Sequence, residues 1–129
     1  MGTALIAEDD SQIRDLVSRW LEGSGWRVVA VDDGRDAIQL LAETPVDLVV
    51  ADLFLKGDCG LGLLRRVNPH LTGMPVIILG QGGDDSALDY GRIATLLGAA
   101  GVLPRPFGRS EFLHTLAAAL EPRAPGGQP

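Results

Sequence analysis

The chain has 129 residues, 46% hydrophobic and 22% charged, with a formal net charge of -6 at pH 7. That balance fits one soluble domain with a real core and excludes a disordered chain. The negative charge argues against broad binding to nucleic-acid phosphates, the single cysteine, Cys59, excludes an intrachain disulfide framework, and no apolar run approaches a membrane span.

In chain order, Thr3 to Ala7 is a short apolar strand that ends in three acids, Glu8-Asp9-Asp10. Ile13, Leu16, Val17, Trp20 and Leu21 then form one helical stripe, with Asp10 or Ser11 as the N-cap. Gly23-Ser24-Gly25 stops that helix. Residues 26–31 form a second strand, Asp32-Asp33-Gly34 turns the chain, and Ala37, Ile38, Leu41 and Ala42 mark a second helix closed by Pro45. Residues 46–51 are a Val-rich run short enough for a strand buried on both faces. Asp52 follows it, where a parallel α/β sheet collects its chemistry; the plain alternative is an Asp that caps a turn.

Gly57 to Gly60 reads as loop, and Leu61, Leu64 and Val67 as a third helix ended by Asn68-Pro69. Residues 75–79 form a fourth strand, followed by the loop Gly80-Gln81-Gly82-Gly83-Asp84-Asp85. Tyr90, Ile93, Ala94 and Leu97 share a face of a fourth helix over 86–98, with Ser86 as its N-cap. A short fifth strand, 101–103, leads through Pro104-Arg105-Pro106-Phe107 into a fifth helix that buries Phe112, Leu113, Leu116 and Leu120. Residues 121–129, EPRAPGGQP, read as a disordered tail or linker stub after a domain of residues 1–120. The strict alternation predicts a doubly wound, five-stranded parallel sheet with helices on both faces.

In such a sheet the loops after strands one, three, four and five meet at one edge. That edge gathers Glu8, Asp9, Asp52, Gly80 and Arg105. Three carboxylates crowded together call for a cation, and hard oxygen donors suit Mg²⁺. Asp9 and Asp52 are the expected direct ligands, with Glu8 acting through water. His70 and His114 have no Cys or acidic partner at ligand spacing, so neither points to zinc. The Gly80-Gln81-Gly82-Gly83 run lacks the Lys-Ser/Thr of a phosphate-cradling P-loop. Trp20 and Trp26 read as packing residues that need not lie near the acidic edge.

Over residues 3–120 the chain resembles a receiver domain of two-component response regulators. The resemblance is carried by Ala7-Glu8-Asp9-Asp10, by Asp52 ending the third strand at the fitting spacing from Asp9, by Gly60, and by Arg105-Pro106-Phe107. It implies a flavodoxin-like (βα)₅ fold and a phosphoacceptor at Asp52, supplied by a histidine kinase or a histidine phosphotransfer protein. It further implies a magnesium site of Glu8, Asp9, Asp52 and the main-chain carbonyl of Phe54. The basic phosphate partner would be Arg105. Such a domain is a phosphoacceptor rather than a conventional enzyme, and it signals to a downstream protein by altered contacts. A homodimer through the fourth helix, fifth strand and fifth helix is a further implied partner. With no DNA-binding module and no basic signal-peptide region after Met1, the expectation is a cytoplasmic protein without direct nucleic-acid or membrane contacts.

Four positions depart from that pattern. Gly80 stands where the family carries Thr or Ser, removing a hydroxyl that would bond the phosphoryl group. Arg105 stands where it carries Lys, Val102 where it carries an aromatic switch residue, and Lys56 where it carries Pro. Restoring a hydroxyl at Gly80 is expected to speed phosphorylation modestly, less so if Gly80 holds a positive φ. The departures keep a second reading open, a pseudo-receiver that acts as a phosphorylation-independent interaction module. A third, a small Mg²⁺-dependent hydrolase, is the weakest, because Phe54 stands where a second acid would be needed.

Overall fold

The protein is described from a computed structural model that covers residues 2–55, 57, 60–80 and 90–122. Five parallel strands, β1 (Thr3–Ala7), β2 (Arg27–Val31), β3 (Leu48–Asp52), β4 (Val76–Leu79) and β5 (Gly101–Leu103), form one sheet in the order β2-β1-β3-β4-β5. The helices are α1 (Ser11–Gly23), α2 (Gly34–Glu43), α3 (Gly60–Val67), α4 (Pro69–Thr72), α5 (Tyr90–Leu96) and α6 (Arg109–Ala119). The doubly wound sheet expected from the alternation is the one observed.

Strand alternation sorts the apolar residues into two cores, one on each face of the sheet. On one face Ala4, Ile6, Leu48, Val50, Ile77 and Leu79 meet Val17 and Leu21 of α1 and Phe112 and Leu116 of α6. On the other, Leu5, Ala7, Val49, Ala51, Val76 and Ile78 meet Ala37 of α2, Leu63 and Leu64 of α3 and Ala94 of α5. Every residue of β3 is buried, as its unbroken Leu-Val-Val-Ala run requires of a central strand. Burying one such Leu or Phe side chain contributes about 1.5–3 kcal/mol, so the sheet is anchored hardest where β3 runs.

Several boundaries move. β2 and β4 each begin one residue later than expected, and β3 runs from Leu48 through Asp52, so the acid is the last residue of the strand. Gly60 is the first residue of α3 rather than the end of a loop. Asn68-Pro69 does end α3, but Pro69 at once opens the four-residue α4, because its fixed φ suits a first helical position. Leu16 and Leu120, expected on buried stripes, are exposed at their margins. The expected start of the fourth helix at Ser86, the loop from Gln81, Lys56, Cys59 and the last seven tail residues lie outside the described residues.

The order β2-β1-β3 means that the chain leaves β1 toward one side of the sheet and returns to build on the other. The crevice beyond the carboxyl ends of β1 and β3 is therefore the topological switch point, where ligands bind in open α/β sheets.

Candidate functional site

Sheet register brings the site together. Ala7 pairs with Ala51 across β1 and β3, and the next residues on the two strands are Glu8 and Asp52. Asp52 in turn pairs with Leu79 of β4, and Leu79 with Leu103 of β5. Backbone hydrogen bonds carry the ladder past the strand ends: Glu8 N–H donates to Val31 O at 3.0 Å, Leu53 N–H to Leu79 O at 2.9 Å, and Gly80 N–H to Leu103 O at 2.9 Å. Four consecutive strand ends thus place Glu8, Asp52, Gly80 and Arg105 at one edge, as the sequence predicts.

The side chains form one charged cluster. Glu8, Asp9 and Asp52 each offer a carboxylate oxygen within 4.8 Å of the others. Glu8 is fully buried and Asp52 is 6% exposed, whereas Asp9 faces solvent. Arg105 reaches across from the segment after β5. Its Nη2 donates to Glu8 Oε1 at 2.6 Å and lies 3.3 Å from Asp52 Oδ1. Asp52 Oδ1 also accepts the N–H of Phe54 at 3.2 Å. Glu8 Oε2 accepts the N–H of Asp10 at 3.1 Å. Asp10 itself is committed elsewhere, since its Oδ1 caps α1 by accepting the N–H groups of Gln12 and Ile13.

Burial dominates the titration of Glu8. Loss of water raises its pKa from 4.5 to about 7, against the Asp10 and Arg105 hydrogen bonds, with the Asp52 charge adding to the rise. Burial works against the charged form of Arg105 too, but its hydrogen bond to Glu8 and the charges of Glu8 and Asp52 outweigh it and hold the guanidinium above its usual range. One cation against three clustered carboxylates leaves the edge electronegative.

Two glycines are demanded by close approach. A Cβ on Gly60 would lie 2.5 Å from the carbonyl oxygen of Asp52 and 2.9 Å from Leu53 Cα, both backbone atoms. Gly80 has φ +93, and a Cβ there would lie 2.7 Å from Arg105 Nε and 3.1 Å from Asp52 Oδ1. The space of the absent side chain at position 80 is filled by the long guanidinium of Arg105. The two departures from the receiver pattern are therefore one feature in space, which sequence alone presents as two.

The Phe54 ring is 59% exposed and packs edge-on against Tyr90, with centroids 5.6 Å apart. Val102 is half-buried against the core that faces α5. Sequence reasoning missed Arg14, whose Nη1 donates to Glu8 O at 2.9 Å from the first turn of α1 and steadies the acidic loop. Trp20 is a packing residue, as the sequence suggests. Its ring packs edge-on against Phe107 at 6.3 Å, two residues along the chain from Arg105, and tilted against Phe112 at 5.7 Å. The Arg105–Pro106 peptide is cis. His70 bonds Leu96 O at 3.0 Å and is not among the described residues that cluster at metal-ligand distance.

A parallel sheet in this order, with paired acids after β1, an acid ending β3 and a basic residue after β5, defines a receiver. The family model for the response regulator receiver domain matches residues 4–117, and the chain belongs to that family, a family of signalling phosphoacceptor domains. It is 34% identical over 119 residues to the transcriptional regulatory protein GltR of Pseudomonas aeruginosa, a match covering 90% of this chain and 48% of that protein. It is 30% identical over 119 residues to the DNA-binding transcriptional regulator NtrC of Escherichia coli, covering 92% of this chain and 25% of that protein. The chain therefore spans half or less of the length of these relatives. Among solved structures, the non-phosphorylated receiver domain of HemR from Leptospira biflexa superposes with a TM-score of 0.80 at 28% identity, covering 96% of this chain and 98% of that one. The chemotaxis response regulator CheY4 of Vibrio cholerae gives 0.79 at 25% identity, covering 93% and 99%.

Proposed function

We propose that this chain is a receiver that accepts a phosphoryl group on Asp52 from a histidine kinase or a histidine phosphotransfer protein, with Mg²⁺, and signals through altered protein contacts. The observation that carries this reading is the Asp52 carboxylate itself. It ends a fully buried strand, sits 3.3 Å from the Arg105 guanidinium, and shares an oxygen cluster with Glu8 and Asp9.

Asp52 is a reactant rather than the residue of a turnover enzyme. One carboxylate oxygen forms a bond to phosphorus as the bond from phosphorus to the donor imidazole nitrogen breaks, and the imidazole keeps that electron pair and takes up a proton. Oδ1 is held by Phe54 N–H and faces Arg105, which leaves Oδ2 as the attacking atom. Arg105 supplies positive charge beside the developing phosphoryl oxygens, and the Phe54 N–H fixes the carboxylate plane, so the protein contributes position and electrostatics.

Three hard oxygen donors within 4.8 Å, one on an exposed residue, suit a small divalent cation that keeps several waters. Glu8, Asp9, Asp52 and the main-chain carbonyl of Phe54 would hold it. When bound, Mg²⁺ supplies charge that offsets the carboxylate and the phosphoryl oxygens. Within these residues we read one receiver, 1–120, followed by a tail, 121–129, in a cytoplasmic protein. Partner contacts, including those of a second copy, would fall on α5, β5 and α6. Among the described residues no helix is long and apolar enough to cross a membrane.

A second reading, the pseudo-receiver, is favoured by one observation: Arg105 occupies the room in which a hydroxyl at position 80 would stand. The two readings part in one experiment. The chain is mixed with a phosphotransfer protein carrying phosphohistidine and Mg²⁺. A receiver gains a hydroxylamine-labile acyl phosphate, and a pseudo-receiver leaves the phosphohistidine intact with this donor and with a small-molecule donor.

A further inference from the structure

Resting on that reading of a cation-dependent phosphoacceptor, we infer that Arg105 gates the metal site: its guanidinium occupies the oxygen a divalent cation needs, and Gly80 is the residue that admits it.

The oxygen at issue is Glu8 Oε1. Glu8 Oε2 is already engaged by the N–H of Asp10. Oε1 is the atom left to ligate or order a cation, and Arg105 Nη2 holds it at 2.6 Å. The same nitrogen lies 3.3 Å from Asp52 Oδ1, so one guanidinium nitrogen bridges both buried carboxylates. Glu8 is fully buried, so water cannot readily replace Arg105 as its partner. A divalent cation entering beside Glu8 and Asp52 brings two positive charges next to the guanidinium. Like-charge repulsion and competition for Oε1 both require Arg105 to withdraw.

Gly80 makes the clamp possible. A Cβ there would sit 2.7 Å from Arg105 Nε and 3.5 Å from its Cζ, so any side chain at position 80 drives the guanidinium from its seat. The guanidinium brings one nitrogen to both carboxylates while its Nε lies where a Cβ at position 80 would stand. Arg105 and Gly80 are thus a matched pair, and the pairing predicts coupling between them.

The test is a Mg²⁺ titration of the metal-stripped chain, followed by backbone amide NMR. It compares wild type, Arg105→Ala, Gly80→Ala and the double variant at about pH 8.5, above the Glu8 pKa of about 7. The Arg105 Nε–H resonance is followed in wild type. Arg105→Ala binds Mg²⁺ roughly tenfold more tightly, the size of one lost charge-assisted hydrogen bond. Gly80→Ala changes no charge, yet it also tightens binding, and the double variant gains nothing over Arg105→Ala alone. In wild type the Arg105 Nε–H signal moves in step with the amides of residues 8–10. Gly80→Ala left at wild-type affinity while folded would overturn the gate. Should Gly80→Ala fail to fold, because alanine resists φ +93, an Nε–H signal unmoved at saturating Mg²⁺ overturns it instead. Equal affinities in all four proteins sink the gate and leave the metal site standing, whereas no binding in any of them sinks both.

Discussion

Replacing Gly60 with alanine sets two effects of opposite sign against each other. Gly60 opens α3, and glycine-to-alanine in a helix ordinarily stabilises by about 1 kcal/mol. Here the new Cβ would lie 2.5 Å from Asp52 O, 2.9 Å from Leu53 Cα and 3.1 Å from Asp52 C. All three are backbone atoms, so no rotamer relieves the contact. Bringing the closest one to 3.0 Å requires the end of β3 and the start of α3 to part by about 0.5 Å. Such overpacking costs about 1–3 kcal/mol, which outweighs the helix term. The net loss of about 1 kcal/mol lowers Tm by roughly 3–6 °C in a domain of this size. Function suffers more than stability, because the strained segment carries Asp52 and the Phe54 N–H that orients it. A displacement of about 1 Å can cost 10²-fold in rate, so a half-ångström shift should slow phosphorylation by about tenfold. The assay is the rate of acyl-phosphate formation with a small-molecule donor and Mg²⁺, beside a thermal melt. A Gly60→Ala chain with both rate and Tm at or above wild type would refute the reasoning.

Glu8 gives a pH test. Its folded pKa of about 7 exceeds the ordinary 4.5, so the folded state binds more protons across that interval. Stability therefore falls as pH rises from about 4.5 to about 7 and levels off above. Glu8→Gln should flatten that fall and be more stable than wild type above neutrality, by at most about 3 kcal/mol, read from urea melts across pH; a wild-type curve that rises over the interval contradicts it. At saturating Mg²⁺, Gly80→Ser alone should slow phosphorylation, against the modest gain expected from sequence, because its Cβ at φ +93 displaces the Arg105 guanidinium that faces Asp52. The Gly80→Ser/Arg105→Lys double variant should recover more than the two single effects combined, and strict additivity in the measured rates would count against the shared space. Trp20 packs on Phe107, so its emission should change on phosphorylation; the change should vanish in Trp20→Phe and persist in Trp26→Phe.

The β-α alternation was legible because each core strand is a short apolar run and each helix carries one stripe. Glu8, Asp9, Asp52 and Arg105 were legible because they sit at the end of a strand or within two residues of it, where register can be carried forward. What stayed hidden was lateral. Nothing in local sequence says that Gly80 and Arg105, twenty-five positions apart, share one volume, since only the β4–β5 pairing brings them together. Trp20 was placed as packing without a partner, because its neighbour Phe107 comes from the far end of the chain. The short α4 escaped because Asn68-Pro69 signals an end and a beginning equally well, and Asn68 at φ 51 permits both.

The central claim is that Asp52 takes the phosphoryl group. Intact mass after incubation with a small-molecule phosphodonor and Mg²⁺ tests it most directly, on wild type, Asp52→Asn and Asp10→Asn. The account predicts one added phosphoryl group on wild type and on Asp10→Asn, whose carboxylate only caps α1, and none on Asp52→Asn. A gain that survives in Asp52→Asn, or none in wild type with either a small donor or a phosphohistidine protein, would contradict it.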